Sequence, residues 1–224
     1  MSVTRGTARA ARAARIGRRG FLTSSAVLVS GVWTGVARAD AVDDVLREVG
    51  AARAKVRTLI APFRQERVLS LLATSVTSKG ELTLVRPDRL RWDLSPPDEA
   101  TYWVGPEGIA YRTPHGSGKV PPASAGALGA ILEDLLVVLG GDLTKLRERY
   151  GVTASRTKEG ASLAFTPKDA KVAKVVRRIA VDLRPDLVAA TRVVLEESGD
   201  DRTTITFDAA RIDEPVDPAR MRPP

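Results

Sequence analysis

Two stretches of this chain, from Phe63 to Thr113 and from Leu163 to Phe207, alternate apolar and polar residues in short runs. Leu82 and Leu84 alternate with Thr83 and Val85. Leu90, Trp92 and Leu94 alternate with Arg89, Arg91 and Asp93. Later, Leu163 pairs with Phe165, Ile179 with Val181 and Leu183, Val193 with Leu195, and Thr203 with Ile205 and Phe207. Successive strand residues point to opposite faces, so each run is a strand with one apolar side. Pro and Gly punctuate the runs, with turns expected at Arg184-Pro185-Asp186 and Gly199-Asp200. There is no strand–helix–strand rhythm, so a meandering antiparallel sheet is the expected result.

Helices are expected at two places. Val42, Val45, Leu46, Val49, Val56, Leu59 and Ile60 follow helical spacing over 40–60, and Pro62 is expected to end that helix. A Pro/Gly/Ser stretch over 114–129 reads as a flexible loop. It leads into a helical stripe of Leu128, Ile131, Leu132, Leu135, Leu136 and Leu139, stopped by Gly140-Gly141. A short helix with Leu143, Leu146 and Tyr150 should follow. The fold class is therefore α+β and mainly antiparallel β. About ten strands are expected in one curved sheet, with helices over one face, as a single domain over 40–224.

The net charge of +8 is unevenly placed. Residues 1–39 hold seven arginines and no acid, which leaves 28 basic and 27 acidic residues in the rest. The body is nearly neutral, which disfavours a nucleic-acid partner. Residues 1–39 read as an export signal. A basic start precedes the apolar run from Phe21 to Val29, and Ala37-Arg38-Ala39 fits signal-peptidase cleavage after Ala39. Arg18, Arg19, Phe21 and Leu22 resemble a twin-arginine signal; general secretion and a membrane anchor are the alternatives. A cysteine-free chain has no disulfide, thiol nucleophile or lipid-bearing N-terminal cysteine.

Catalytic motifs are wanting. Gly116-Ser117-Gly118-Lys119 lacks the first glycine and the final Ser or Thr of a phosphate loop, with Thr113 and Val120 at those places. His115, the one histidine, lies in a Gly/Pro-rich stretch without a nucleophile turn. Glu196-Glu197 and Asp200-Asp201 fall at a strand end and a turn, where solvation explains them. No catalytic residue, metal site or cofactor is expected.

Residues 84–99, LVRPDRLRWDLSPPDE, mix arginines with apolar residues. Parity puts Arg89, Arg91 and Asp93 on a face turned to water, and Leu90, Trp92 and Leu94 on the apolar face. Arg86 is the exception, because it shares parity with Leu82 and Leu84 and precedes Pro87. It either caps the mouth of an apolar cavity or reaches out to solvent from a strand end.

The order of these motifs resembles the outer membrane lipoprotein carrier (LolA-like) family. The residues that carry it are Phe63-Arg64-Gln65, the pattern from Gly80 through Arg86-Pro87 to Trp92, Pro97-Asp98-Glu99, Leu163 to Lys168, and the hairpin from Asp200 to Phe207. The resemblance implies an incomplete, half-open β-barrel with helices as a lid, and a soluble periplasmic carrier rather than an enzyme. Its implied cargo is acylated lipoprotein, received from an inner-membrane releasing transporter and passed to an outer-membrane receptor, by a monomer without cofactor. Arg86 matches an arginine tied to lid closure and release. Leu90 and Trp92 match apolar positions of the following strand, and Leu82, Leu84 and Leu94 complete the expected acyl-binding set. The lid candidate is the helix with Leu128, Ile131, Leu132, Leu135 and Leu136, on its apolar stripe and central position, because the insert itself does not match the family well. The chain departs from the family at its end, Pro218 to Pro224, where phenylalanines and a longer tail are usual.

Overall fold

The computed structural model describes residues 34–121 and 126–224, with side chains over 41–121 and 133–224. Helix α1 (Thr34–Arg53) buries Val42, Val45, Leu46 and Val49. It stops seven residues short of the expected end at 60, because Thr58 already begins strand β1 (Thr58–Leu69). Leu59, Ile60 and Ala61 are all buried, so an apolar run covered on both faces mimics helical spacing. Pro62 lies within β1 rather than ending a helix. Its missing N–H is tolerated where β1 changes neighbours: Leu59 and Ile60 pair with one strand, Phe63 to Val68 with another.

β1 turns through Ser70–Leu72 into β2 (Thr74–Val85). Leu71 and Leu72, which continue a strand-like segment over Phe63 to Ser75 in the sequence, sit instead at this turn and are 93% and 68% exposed. The hairpin outruns the core beneath it. β3 (Arg89–Leu94), β4 (Ala100–Gly105), β5 (Gly108–Thr113) and β6 (Gly116–Val120) continue the meander, each antiparallel to the last. Residues 116–120 are thus an edge strand on β5, not part of a flexible loop. Helix α2 (Gly126–Gly140) ends at the expected glycines. Leu143–Arg147 forms a 3-10 turn, and Tyr150 opens a strand instead of closing a helix.

That strand, β7 (Tyr150–Thr157), has few apolar residues and escaped the pattern. β8 (Gly160–Pro167), the one-turn helix α3 (Ala170–Ala173), β9 (Val176–Leu183), β10 (Ala190–Glu197), β11 (Arg202–Phe207) and β12 (Arg211–Ile212) follow. The sheet runs β6-β5-β4-β3-β2-β1-β11-β10-β9-β8-β7, with β12 beside the start of β1. It is an open, twelve-stranded antiparallel sheet with helices, an α+β open barrel with a helical lid.

The topology positions the site. β6 and β7 flank the α2 insert in sequence yet form the two outer edges of the sheet. The chain over 121–149 therefore has to travel from one edge to the other. α2 makes part of that journey across the apolar inner face, where Leu135, Leu136, Val138 and Leu139 join one core with Leu82, Leu84, Leu90 and Trp92. α1 completes that core with Val42, Val45, Leu46 and Val49.

Candidate functional site

The inner face is built by strand parity. Leu82, Leu84, Leu90 and Trp92 lie on it, each at most 8% exposed, and Leu94 packs at the margin. Register places Leu82 beside Trp92 and Leu84 beside Leu90. Phe63 stacks on Trp92 at 4.0 Å between ring centres, with Phe207 edge-on to both. Gly80 makes room for this: a Cβ there would lie 2.5 Å from the Phe63 ring and 2.0 Å from the Asp93 carbonyl. Of the expected lid residues, Leu135 and Leu136 are buried against this face. The side chains of Leu128, Ile131 and Leu132 fall outside the described residues, as do Arg18, Arg19, Phe21 and Leu22. Ala37 and Ala39 lie in the first turns of α1, so cleavage after Ala39 would cut within that helix.

Two arginines converge on the C-terminal end of α2. Arg86 follows β2, and its backbone N–H donates to the Arg57 carbonyl. Its guanidinium turns to α2 and donates to the Gly140 carbonyl, and at 3.5 Å to that of Val188. The side chain is half-buried and does not run out to solvent. Arg53, the last residue of α1, is 2% exposed and donates to the carbonyls of Val138 at 2.9 Å, Gly141 at 3.3 Å and Val137 at 3.5 Å. The last carbonyls of a helix have no partner within it, and a cation there also meets the negative end of the helix dipole. The two guanidiniums thus cap α2 from outside. The helix comes close because Gly140 has no side chain; a Cβ there would meet Leu84 Cδ2 at 2.4 Å.

This cap is electrostatically costly. Burial, with a contribution from the Arg86 charge, pushes the Arg53 pKa down to about 9. Burial likewise lowers Arg86 to about 10, partly opposed by Asp213. Both Nε atoms are buried without a hydrogen-bond partner. Beside them lies a cavity of about 860 Å³ between α1, the end of α2 and the β2–β3 turn.

Helical spacing over 40–60 puts Arg53, with Arg47 and Arg57, on the sides away from the apolar stripe, yet Arg53 is buried, because it lies four residues after Val49 and seven after Leu46, on the covered face of α1. The sequence reading passed over Asp134, 1% exposed on α2. Asp134 accepts from the Tyr150 hydroxyl and pairs with Arg149 at 2.8 Å. Burial raises its carboxyl above the usual range, against the opposing effects of Tyr150 and Arg149. The same i, i+3 count from Ile131 to Asp134 would have found it.

A family model described as outer membrane lipoprotein carrier protein LolA-like matches residues 34–221. The chain belongs to this family. Among curated proteins, none matches. The chain is also similar to solved structures at low identity. A LolA superfamily protein from Nitrosomonas europaea is 6% identical with a TM-score of 0.47, covering 79% of this chain and 95% of that one. Lipoprotein LppX of Mycobacterium tuberculosis is 13% identical, TM-score 0.42, covering 78% and 98%. The MucA/MucB complex of Pseudomonas aeruginosa gives 15% and 0.43, covering 81% and 60%.

The LolA-like chain departs from expectation on the outer face of the sheet. Arg91 and Asp93 were expected to face water, yet their side chains are only 19% and 21% exposed. The C-terminal turn Pro218–Met221 covers them. Arg91 and the Trp103 indole both donate to the Arg220 carbonyl, at 2.8 and 3.1 Å. The Arg220 guanidinium reaches Glu81 at 2.8 Å and Asp93 at 3.2 Å. Burial pushes the Asp93 carboxyl up, but hydrogen bonds from Arg91, Thr101 and Arg220 outweigh it and hold the group below its usual range. His115 is exposed on the β5–β6 turn, as expected. Among the described residues no His, Asp and Glu cluster could hold a metal, and no helix is long and apolar enough to cross a membrane.

Proposed function

We propose that this LolA-like chain is a periplasmic carrier. It holds the acyl chains of lipoproteins against the inner face beneath α2 and ferries them from the inner to the outer membrane. One observation carries the reading: α2 lies over the apolar face and is fastened at its end by two arginines, so it can serve as a lid. An acyl chain replacing Leu135, Leu136 and Leu139 against Leu84 and Trp92 exchanges one apolar contact for another, and no energy source is needed. Each buried CH₂ contributes about 0.8 kcal/mol, so one long chain is held by roughly 10 kcal/mol against escape into water. The inner-membrane releasing transporter, the outer-membrane receptor and export by the 1–39 signal belong to the same proposal.

The test is transfer. Acylated lipoprotein in detergent is mixed with the protein, the detergent is diluted out, and the mixture is run on a sizing column. A soluble complex of one carrier and one lipoprotein is expected. Lipoprotein that precipitates as it does alone would overturn the proposal. The cationic cavity at the end of α2 favours a second reading, a lipid or glycolipid binder of the same fold, and co-purified lipid identified by mass spectrometry would separate the two.

A further inference from the structure

The cavity beside the α2 cap has a composition that acyl-chain binding does not require. Arg47, Arg53, Arg57, Arg86 and Lys145 line it, against Asp88 and Asp142. Asp142 is already engaged, accepting from the Thr144 backbone and hydroxyl. Arg47 lies next to Asp44 at the rim, and Asp213, outside the cavity, bears on Arg86. The balance remains cationic. Two of its arginines carry buried Nε donors with nothing to receive them, and Arg53 is 98% buried. Leu46, Val56, Leu136 and Val137 supply an apolar wall continuous with the core. About 860 Å³ is within the range of small-molecule sites.

We propose that this cavity receives the phosphate-bearing headgroup of an anionic lipid, whose acyl chains pass along the apolar wall under α2. The proposal rests on the lipid-binding reading and adds a headgroup class to it. Phosphate oxygens are the acceptors that unpartnered guanidinium N–H groups lack, and charge-assisted bonds to arginine are strong. The site has a built-in consequence. Arg53 and Arg86 cannot turn fully to a headgroup without loosening their hold on the carbonyls of Val138 and Gly140. Headgroup binding and release of the last turn of α2 are therefore linked, and linkage works in both directions.

The test compares two lipids with identical acyl chains, phosphatidylglycerol and uncharged diacylglycerol, and inorganic phosphate alone as the headgroup fragment. Phosphatidylglycerol is expected to bind at least tenfold tighter than diacylglycerol, and the advantage should shrink as salt screens it. Inorganic phosphate should bind weakly and compete with phosphatidylglycerol; tight binding of free phosphate without any gain from acyl chains would overturn the lipid assignment. The double variant Arg57→Gln, Lys145→Gln changes two exposed cavity residues, with folding checked by thermal unfolding. It should reduce the phosphatidylglycerol advantage to threefold or less. Equal affinity of the wild type for phosphatidylglycerol and diacylglycerol would overturn the headgroup site while leaving lipid binding intact. Failure of both lipids to bind would overturn the lipid-binding reading itself.

Discussion

Replacing Arg53 by methionine separates what the α2 cap does for stability from what it does for the lid. Methionine keeps the unbranched apolar stem and removes the charge. On one side of the ledger stand three carbonyl acceptors, at 2.9, 3.3 and 3.5 Å. A good hydrogen bond from a charged donor contributes about 1.5–3 kcal/mol net, and the two longer bonds add about 1 kcal/mol together. On the other side, burial brings the arginine pKa to about 9. At about 1.4 kcal/mol per tenfold change, keeping that group charged costs roughly 5 kcal/mol. The terms offset to within about 2 kcal/mol, so Arg53→Met should shift Tm by less than about 6 °C in either direction.

The local effect is different. The carbonyls of Val137, Val138 and Gly141 at the end of α2 lose their guanidinium donor, a loss of about 2 kcal/mol confined to that end. Amide exchange there should quicken by roughly thirtyfold, read by mass spectrometry of peptides covering 133–145, while strands β8–β10 stay protected. A Tm drop above 10 °C with unchanged exchange in α2 would refute the reasoning, since Arg53 would then be an ordinary structural residue.

Trp92→Ala, which empties the stack on Phe63 and Phe207, should cost about 3–5 kcal/mol by denaturant unfolding. Asp93→Asn weakens the hold on Arg91 and Arg220 and should free the C-terminal turn for protease at residues 214–224, at a cost of about 1.5–3 kcal/mol. Leu71→Ser with Leu72→Ser, at the exposed hairpin tip, should change stability by less than about 0.5 kcal/mol. For Asp134 the raised pKa means the folded state binds a proton more readily than the unfolded one. Stability should therefore fall as pH rises from the ordinary aspartate range toward neutrality, and Asp134→Asn should flatten that slope in pH-dependent melts.

Much of the sheet was legible because period-two patterning survives wherever one face is apolar and the other is not. Leu90 and Trp92 against Arg91 and Asp93 is the clean case, and β3 to β5 and the second half of β2 fall where alternation puts them, whereas the Ser/Thr/Lys stretch before Gly80, which reads as a turn, is the first half of β2. The failures have physical reasons. Leu59-Ile60-Ala61 is buried on both faces, so its apolar run continued the helix count from Val56 and hid the start of β1. β7 has only Val152 and Ala154 partly buried along its middle, too little to mark a strand. The outer face was misread because its cover, Arg220 and Met221, comes from more than a hundred residues away. No local pattern carries that information.

Parity made Arg86 anomalous, yet it could not show that Arg53 joins it. That pairing explains why charge, and not more leucine, fastens the lid. An apolar seal over the end of α2 would gain about 25 cal/mol for each Å² buried, and anything displacing it would have to replace that burial. Two desolvated arginines hold the same helix end through directed bonds whose gain is nearly cancelled by the cost of burying charge. Such a fastening is specific in geometry and small in net free energy. Lid opening then depends mainly on whether the apolar contacts of Leu135, Leu136 and Leu139 are replaced, which is the event that the proposed acyl-chain loading supplies.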